Sequence, residues 1–144
     1  MPSYQNILCA IDLDDNSAII LKAAIAQAGG ELNRLHVIHT CEHPITGYGE
    51  LTGSNLPTTE AQIKQKAYPE FRRLLESHQI PLSQGEILFG QPSEAIHQKA
   101  AELSCDLIVV GSHGRSGLLL LLGSTSNSVL KDAPCDVLTV KLEG

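Results

Sequence analysis

Residues 106–110 read DLIVV, the most continuous strand-like apolar run in the chain, and they lead directly into Gly111. A strand that is apolar on both faces is typical of the middle of a parallel sheet, where helices cover both sides. The glycine that follows lets the backbone turn where such a strand ends. This segment therefore predicts an α/β fold with a glycine-containing turn beyond a central strand.

Strand-like and helix-like segments alternate along the rest of the chain. The predicted strands are Tyr4–Ile11, Arg34–His39, Glu86–Phe89, Asp106–Val110 and Asp136–Leu142. The predicted helices are Ala18–Ala28, a stretch opened by Thr58–Glu60 that Pro69 kinks or restarts, a segment from Pro92 to Leu103, and Ser124–Lys131. Five strands and four helical segments in alternation indicate a doubly wound parallel sheet. The length of 144 residues favours a single domain over residues 1–144.

The charge balance and the distribution of apolar residues exclude several classes of protein. Sixteen acidic residues against ten basic ones give a net charge of −6, and the only adjacent basic pair is Arg72-Arg73, so we expect no nucleic-acid partner. No segment approaches the roughly 18 to 20 apolar residues that span a bilayer, and residues 1–9 lack the pattern of a secretory leader. We therefore expect a cytoplasmic protein that does not enter a membrane.

Two turns follow predicted strands at positions where doubly wound sheets bind ligands, one after Ile11 and one after Val110. The second turn reads GSHGRSGLLLLLGSTSNSV over residues 111–129. Gly111 and Gly114 would let backbone N–H groups face an anion, and Gly123 and Ser124 open a predicted helix whose first N–H groups suit a phosphate. Neither the Walker pattern nor the dinucleotide fingerprint occurs here. The alternative is that the glycines only turn the chain and Ser124 only caps the helix.

The same segment resembles the universal stress protein family. The likeness consists of IVVGSHGRSG, a leucine-rich step, GS at a helix start, and a last strand after Pro134-Cys135-Asp136. NILCAIDLDDNS resembles the family's first strand with its aspartate, LHVIH resembles its second strand, and the likeness covers essentially the whole chain. It implies an A-type, single-domain member with a five-stranded parallel sheet in the order 3-2-1-4-5. It also implies a homodimer paired through the last strand.

One branch of the family binds ATP and another binds no nucleotide. The resemblance to the binding branch implies a nucleotide site. Position by position, the implied contacts are Asp12 to the adenosine, the main chain near Val37 to the adenine edge, Val110 and Gly111 to the ribose, and Gly114, Gly123, Ser124 and Thr125 to the phosphates. His113 and Arg115 are further phosphate contacts. We expect Mg²⁺ to bind the phosphate oxygens, with no metal site formed by the protein alone.

Two features of the chain leave alternatives open. Eight residues separate Gly114 from Gly123, one fewer than is common in the binding branch, so a non-binding dimeric interaction protein remains an alternative. Asp12 could instead cap the first helix, and Asp14 and Asp15 could be exposed residues of its first turn that suit the helix dipole.

Leu118–Leu122 are interpreted as an apolar spacer that holds the flanking glycines apart. No catalytic base is evident, so at most weak hydrolysis is expected.

Histidines and cysteines offer weaker candidates. His39, Cys41 and His43 would share one face of a strand and could bind zinc, but the glycine and proline that follow indicate that the strand has already ended. The stretch Thr40–Pro57 is then a long connection of the kind that often forms a functional lid or a mobile segment. Cys9 and Cys105 are interpreted as core residues, because a redox sensor would need a low thiol pKa.

Overall fold

The computed structural model describes residues 4–42, 59–112 and 128–142. The strands are β1 (Ile7–Ala10), β2 (Leu35–Cys41), β3 (Gly85–Phe89), β4 (Leu107–Gly111) and β5 (Asp136–Val140). The helices are α1 (Ser17–Gln27), α2 (Glu60–Ser77), α3 (Pro92–Glu102) and α4 (Ser128–Lys131), and short 3₁₀ turns, Leu32–Arg34 and Leu82–Gln84, precede β2 and β3. The alternation predicted from the sequence is confirmed.

The five strands form one parallel sheet in the order β3-β2-β1-β4-β5, as the family resemblance implies. The register places Cys9 of β1 beside Val37 of β2 on one side and beside Val109 of β4 on the other. The chain thus winds outward from β1 in both directions, and the strand order reverses between β1 and β4. In open α/β sheets the crevice at this reversal is the usual ligand position.

Two apolar layers cover the two faces of the sheet. Because successive strand residues point to opposite faces, Ile7 and Cys9 of β1 belong to the layer packed by α1 and α2, whereas Leu8 and Ala10 belong to the layer packed by α3 and α4. Phe71 is the largest fully buried side chain and comes from α2. Burial on both faces explains why the central strands read as continuous apolar runs.

Local sequence explains where α2 begins and why it continues past its proline. Thr59 and Gln62 form a capping box: the Thr59 hydroxyl accepts from the Gln62 amide at 3.1 Å, and the Gln62 side chain accepts from the Thr59 amide at 2.9 Å. Pro69 lies on the exposed side of the helix. The helix neither ends nor restarts there, and a kink at Pro69 stays a prediction.

The strand that was predicted to stop at His39 continues through Cys41. The prediction was wrong because the following glycine and proline lie several residues further on, while β3 pairs with β2 as far as Cys41 and extends it. Thr40 and Cys41 are therefore strand residues, and residues 43–57 of the predicted long connection lie outside the described residues. In the part of the chain that is described, no helix has the length and apolarity needed to cross a membrane.

Side-chain hydrogen bonds join the strands at the amino end of the sheet. The Asp106 carboxylate accepts from the backbone amides of Gln5 at 2.9 Å and Asn6 at 3.0 Å. The Asn6 amide side chain donates to the Leu103 carbonyl and accepts from the His36 ring at 2.9 Å. Burial, and then the charge of Lys99, lower the pKa of His36. These bonds connect the starts of β1, β2 and β4.

Candidate functional site

The carboxyl ends of β1 and β4 bring two of the candidate segments side by side. Cys9 pairs with Val109, so Asp12 and Ser112 each come three residues after this pair. The Ile11 amide donates to the Ile38 carbonyl of β2 at 3.0 Å, which holds the chain in the sheet up to the residue before Asp12. Asp12 is half-buried at this edge. It therefore lies at the strand-order reversal, as the sequence predicted.

The turn after Asp12 has an uncommon backbone conformation. Leu13 has φ of 63°, in the left-handed region that side chains other than glycine, asparagine and aspartate rarely adopt. Such a conformation costs on the order of 1–3 kcal/mol and persists only where neighbouring contacts enforce it. Here the Leu13 side chain packs against the core layer of α1 and α2. The turn thus directs the chain sharply away from the sheet directly after the candidate carboxylate.

The aspartates after that turn have structural contacts. The Asp14 carboxylate accepts from the Asn16 amide at 3.0 Å, and the Asp14 amide donates to the buried Ser17 hydroxyl at 3.1 Å. The first helix begins only at Ser17, with Asn16 at the cap position, so Asp14 and Asp15 are exposed, as expected, but precede the first turn. Asp12 is not at the cap position either, which removes the alternative that it caps α1.

His39 is a residue of this edge whose role the sequence did not reveal. Its Nδ1 donates to the Ile11 carbonyl at 2.9 Å, and only 7% of the residue is exposed. The bond joins β2 to Ile11, the residue between β1 and Asp12, and it fixes which ring nitrogen carries the proton. We interpret His39 as a positioning residue for the Asp12 turn. Across the described residues, no group of three histidine, cysteine or acidic side chains could hold a metal ion.

Gly111 is required by packing. It ends β4 without a positive φ, and a Cβ added to it would lie 2.7 Å from Ile20 Cδ1 and 2.8 Å from Leu142 Cδ1. These two side chains occupy the space that a side chain at this position would need. The next residue is joined to the end of β5, because the Ser112 amide donates to the Val140 carbonyl and its hydroxyl accepts from the Leu142 amide, both at 2.9 Å.

Val110 and Val37 have no exposed side-chain surface. Val110 is one residue from the carboxyl end of β4 and packs into the layer of α3 and α4. Val37 lies in the middle of β2 with β1 and β3 on either side, level with Cys9. At about 3.3 Å per residue, this places it roughly 10 Å along the strand direction from the level of Asp12. Because the exposed fraction is 0% for each whole residue, their main-chain atoms are buried as well.

The remaining candidates lie outside the described residues. They are the implied phosphate contacts and the spacer between them: His113, Gly114, Arg115, Gly123, Ser124, Thr125 and Leu118–Leu122. The zinc candidate His43 lies outside as well. Of the predicted nucleotide site, the structure therefore brings together Asp12, Val110 and Gly111. The phosphate-binding part stays a prediction from the sequence.

Three of the four cysteines, Cys9, Cys105 and Cys135, lack the electrostatic setting of a reactive thiol. Burial strongly raises the pKa of the Cys9 thiol, and burial together with Cys135 and Asp106 raises that of Cys105 to about 12. The pKa of half-buried Cys135 is also raised, first by burial and then by Asp136 and Asp106. Redox sensing requires a lowered pKa, so these environments favour the interpretation of Cys9 and Cys105 as core residues.

The described edge can bind polar groups of a ligand. A carboxylate at a strand-order reversal can accept hydrogen bonds from ribose hydroxyls or from the amino group of a base, as acidic residues do in other doubly wound nucleotide-binding domains. The Ser112 hydroxyl accepts a hydrogen bond from the Leu142 amide. A carboxylate in the position of Asp12 suits recognition of a nucleoside.

Comparison with known proteins agrees with this fold. The sequence profile of the universal stress protein family matches residues 3–141. Universal stress protein A homolog 2 of Coxiella burnetii is 36% identical over 153 aligned positions, which cover all of this chain and 99% of that protein. Among solved structures, hypothetical protein MJ0577 is 26% identical with a TM-score of 0.68 over 98% of each chain. A universal stress protein solved in complex with cAMP is 22% identical, with a TM-score of 0.62 over 96% of this chain and 97% of that one. The chain belongs to the universal stress protein family.

Proposed function

We propose that this protein binds an adenine nucleotide, ATP with Mg²⁺, at the carboxyl ends of β1 and β4. The observation that carries the proposal is the position of Asp12. Asp12 follows β1 where the strand order reverses, and the carbonyl of the preceding residue, Ile11, accepts a hydrogen bond from buried His39. A preorganised acceptor at this position suits a ribose or an adenine amino group.

The other parts of the proposed site follow from the sequence. Gly114, Gly123, Ser124 and Thr125 would bind the phosphates, with His113 and Arg115 nearby. Mg²⁺ would enter with the phosphate oxygens, since Asp14 is engaged by the Asn16 amide and Mg²⁺ commonly keeps phosphate and water ligands. Val37 lies in the middle of β2, so its main chain is the least supported of the proposed contacts. The cAMP complex of a protein with the same fold supports an adenine nucleotide as the ligand class.

We further propose that the protein acts as a cytoplasmic homodimer paired through β5, and that it binds the nucleotide without rapid turnover. β5 is an outer strand, and Val137, Leu138 and Val140 on it are half-buried in the single chain. An outer strand with apolar side chains and outward backbone groups is suited to pairing with a second copy. Sedimentation velocity should give twice the chain mass, and a single-chain mass would contradict this pairing.

Isothermal titration with Mg-ATP tests the nucleotide proposal. We expect saturable binding by the wild type, a loss of at least about tenfold in affinity for Asp12→Ala, and no change for Asp132→Ala, which removes an exposed aspartate near the start of β5. Urea unfolding of each variant separates loss of a contact from loss of the fold. Denatured fresh protein should also release adenine nucleotide. No heat up to millimolar Mg-ATP and no released nucleotide would instead favour the non-binding interaction protein.

A further inference from the structure

A groove lies between β3 and α3 at the carboxyl end of β3. It has a volume of about 430 Å³ and is lined by Leu88, Phe89, Gly90 and residues of α3. A separate cavity of about 160 Å³ nearer the amino end of the strand is also lined by His36, Val37 and Ile38 of β2, so it is not confined to the edge strand. Lys99 borders both cavities.

The strand beside this groove has backbone groups directed outward. Among the described residues, β3 is at the edge of the sheet and pairs with β2 alone. The Gly90 amide donates to the Cys41 carbonyl of β2 at 2.9 Å, so alternate residues before it, Leu88 and Glu86, also face β2. The amide and carbonyl of Ile87 consequently point away from the sheet. Such an edge is a template on which another strand can form backbone hydrogen bonds.

The wall of the groove that α3 forms carries excess negative charge. Gln91, Glu94, Gln98 and Glu102 recur at intervals of three or four residues, which places them on one stripe of the helix. Lys99 is only 16% exposed and is paired with Glu86 at 2.9 Å and with Glu102 at 3.1 Å. The carboxylates of Glu86, Glu94 and Glu102 together with the Lys99 ammonium give this region a formal net charge of −2.

We propose that this groove, formed by β3 and α3, binds an extended basic segment of a partner protein as an added strand. The backbone of the segment would pair with the outward groups of Ile87, and alternate lysine or arginine side chains would lie along the acidic stripe. Leu88 and Ala95 supply apolar surface beneath them. A second copy of this chain does not fit, because it would bring the carboxylates of Glu86 and Glu102 against the same groups in its partner.

A peptide with matched backbone blocks tests the proposal. The probe is a fluorescein-labelled octapeptide of alternating valine and lysine, and its two derivatives carry N-methyl groups on all valines or on all lysines. Within a strand the two sets of amides point in opposite directions, so only one set can face β3. We expect fluorescence anisotropy to show binding, with one N-methylated peptide at least tenfold weaker than the other although their charges are equal. Amide resonances of Ile87 and its neighbours should shift in the complex.

Charge variants distinguish the groove from general attraction to an acidic protein. The double variant Glu94→Gln, Glu102→Gln should weaken binding at least fivefold. The matched double variant Glu70→Gln, Glu76→Gln removes the same charge from exposed positions of α2 on the other face of the sheet and should have little effect. Equal weakening by the two variants, equal binding of the two N-methylated peptides, or no binding at 1 mM peptide would each overturn the proposal.

Discussion

The two ends of the sheet differ in how far apart in the sequence the segments that they join lie. At the amino end, hydrogen bonds between side chains and backbone connect segments about 100 residues apart, from Gln5 and Asn6 to Asp106 and Leu103. At the carboxyl end, the bonds from His39 to Ile11 and from Leu142 to Ser112 span 28 and 30 residues, and Asp14 and Asp15 are exposed. A doubly wound sheet can leave charge exposed where it binds a ligand when the opposite end secures the strands.

We expect the largest loss of stability from a substitution at the amino end of the sheet. Asp106→Ala should lower the free energy of unfolding by about 2–3 kcal/mol, because the amides of Gln5 and Asn6 lose a charged acceptor. Urea unfolding measures the loss, and isothermal titration should show unchanged nucleotide affinity in the folded variant. Asp15→Ala, which removes an exposed carboxylate at the other end, serves as the control. If the two variants cost the same, the ends do not differ as proposed.

A smaller loss should follow from filling the space at Gly111. Gly111→Ala places a methyl group against Ile20 and Leu142, and overpacking of this kind costs about 1–2 kcal/mol. Adding Ile20→Val removes the closest atom, so the double variant should be more stable than the sum of the single changes predicts. Chemical unfolding of all four proteins gives this coupling. Additive losses, or a drop in nucleotide affinity without loss of stability, would show that Gly111 is required by the ligand.

The smallest effect is a pH dependence of the unfolding free energy that arises at the amino end of the sheet. The folded protein lowers the pKa of His36, so the unfolded chain takes up a proton first as the pH falls below about 6.5. Stability from this group is therefore complete above that pH and decreases below it until the native ring is also protonated. The difference in unfolding free energy between wild type and His36→Gln, measured from pH 8 to pH 5, should show this loss. A flat difference would remove His36 as its source.

Most of the fold could be predicted because it depends on local patterns. Apolar runs such as Leu107–Val110 indicate central strands wherever both faces are covered, and Thr59 with Gln62 marks the start of α2. Two expectations from local signals were wrong. α2 continues through Pro69 and β2 continues past His39, because packing and pairing with neighbouring elements outweigh these local signals.

The candidate site could be predicted in position but only partly in mechanism. Asp12 is a candidate because the resemblance to the universal stress protein family places that family's aspartate there, and because it follows a strand whose turn is a predicted ligand position. The bond from His39 to the Ile11 carbonyl joins residues 28 positions apart and leaves no local pattern. The need for glycine at position 111 likewise depends on Ile20 and Leu142, which come from two other segments. Long-range contacts of this kind appear only when the chain is folded.

The unlike outer strands of the sheet limit the size of any assembly. β5 offers apolar side chains, whereas the groove beside β3 is acidic, so the β3 edge of one molecule is a poor match for the β5 edge of the next. Head-to-tail stacking of sheets, which would grow into an open filament, is disfavoured for this reason. Growth through β5 against β5 has two-fold symmetry and stops at two molecules. In the proposed β5 dimer, the charge along β3 would oppose further growth of the assembly.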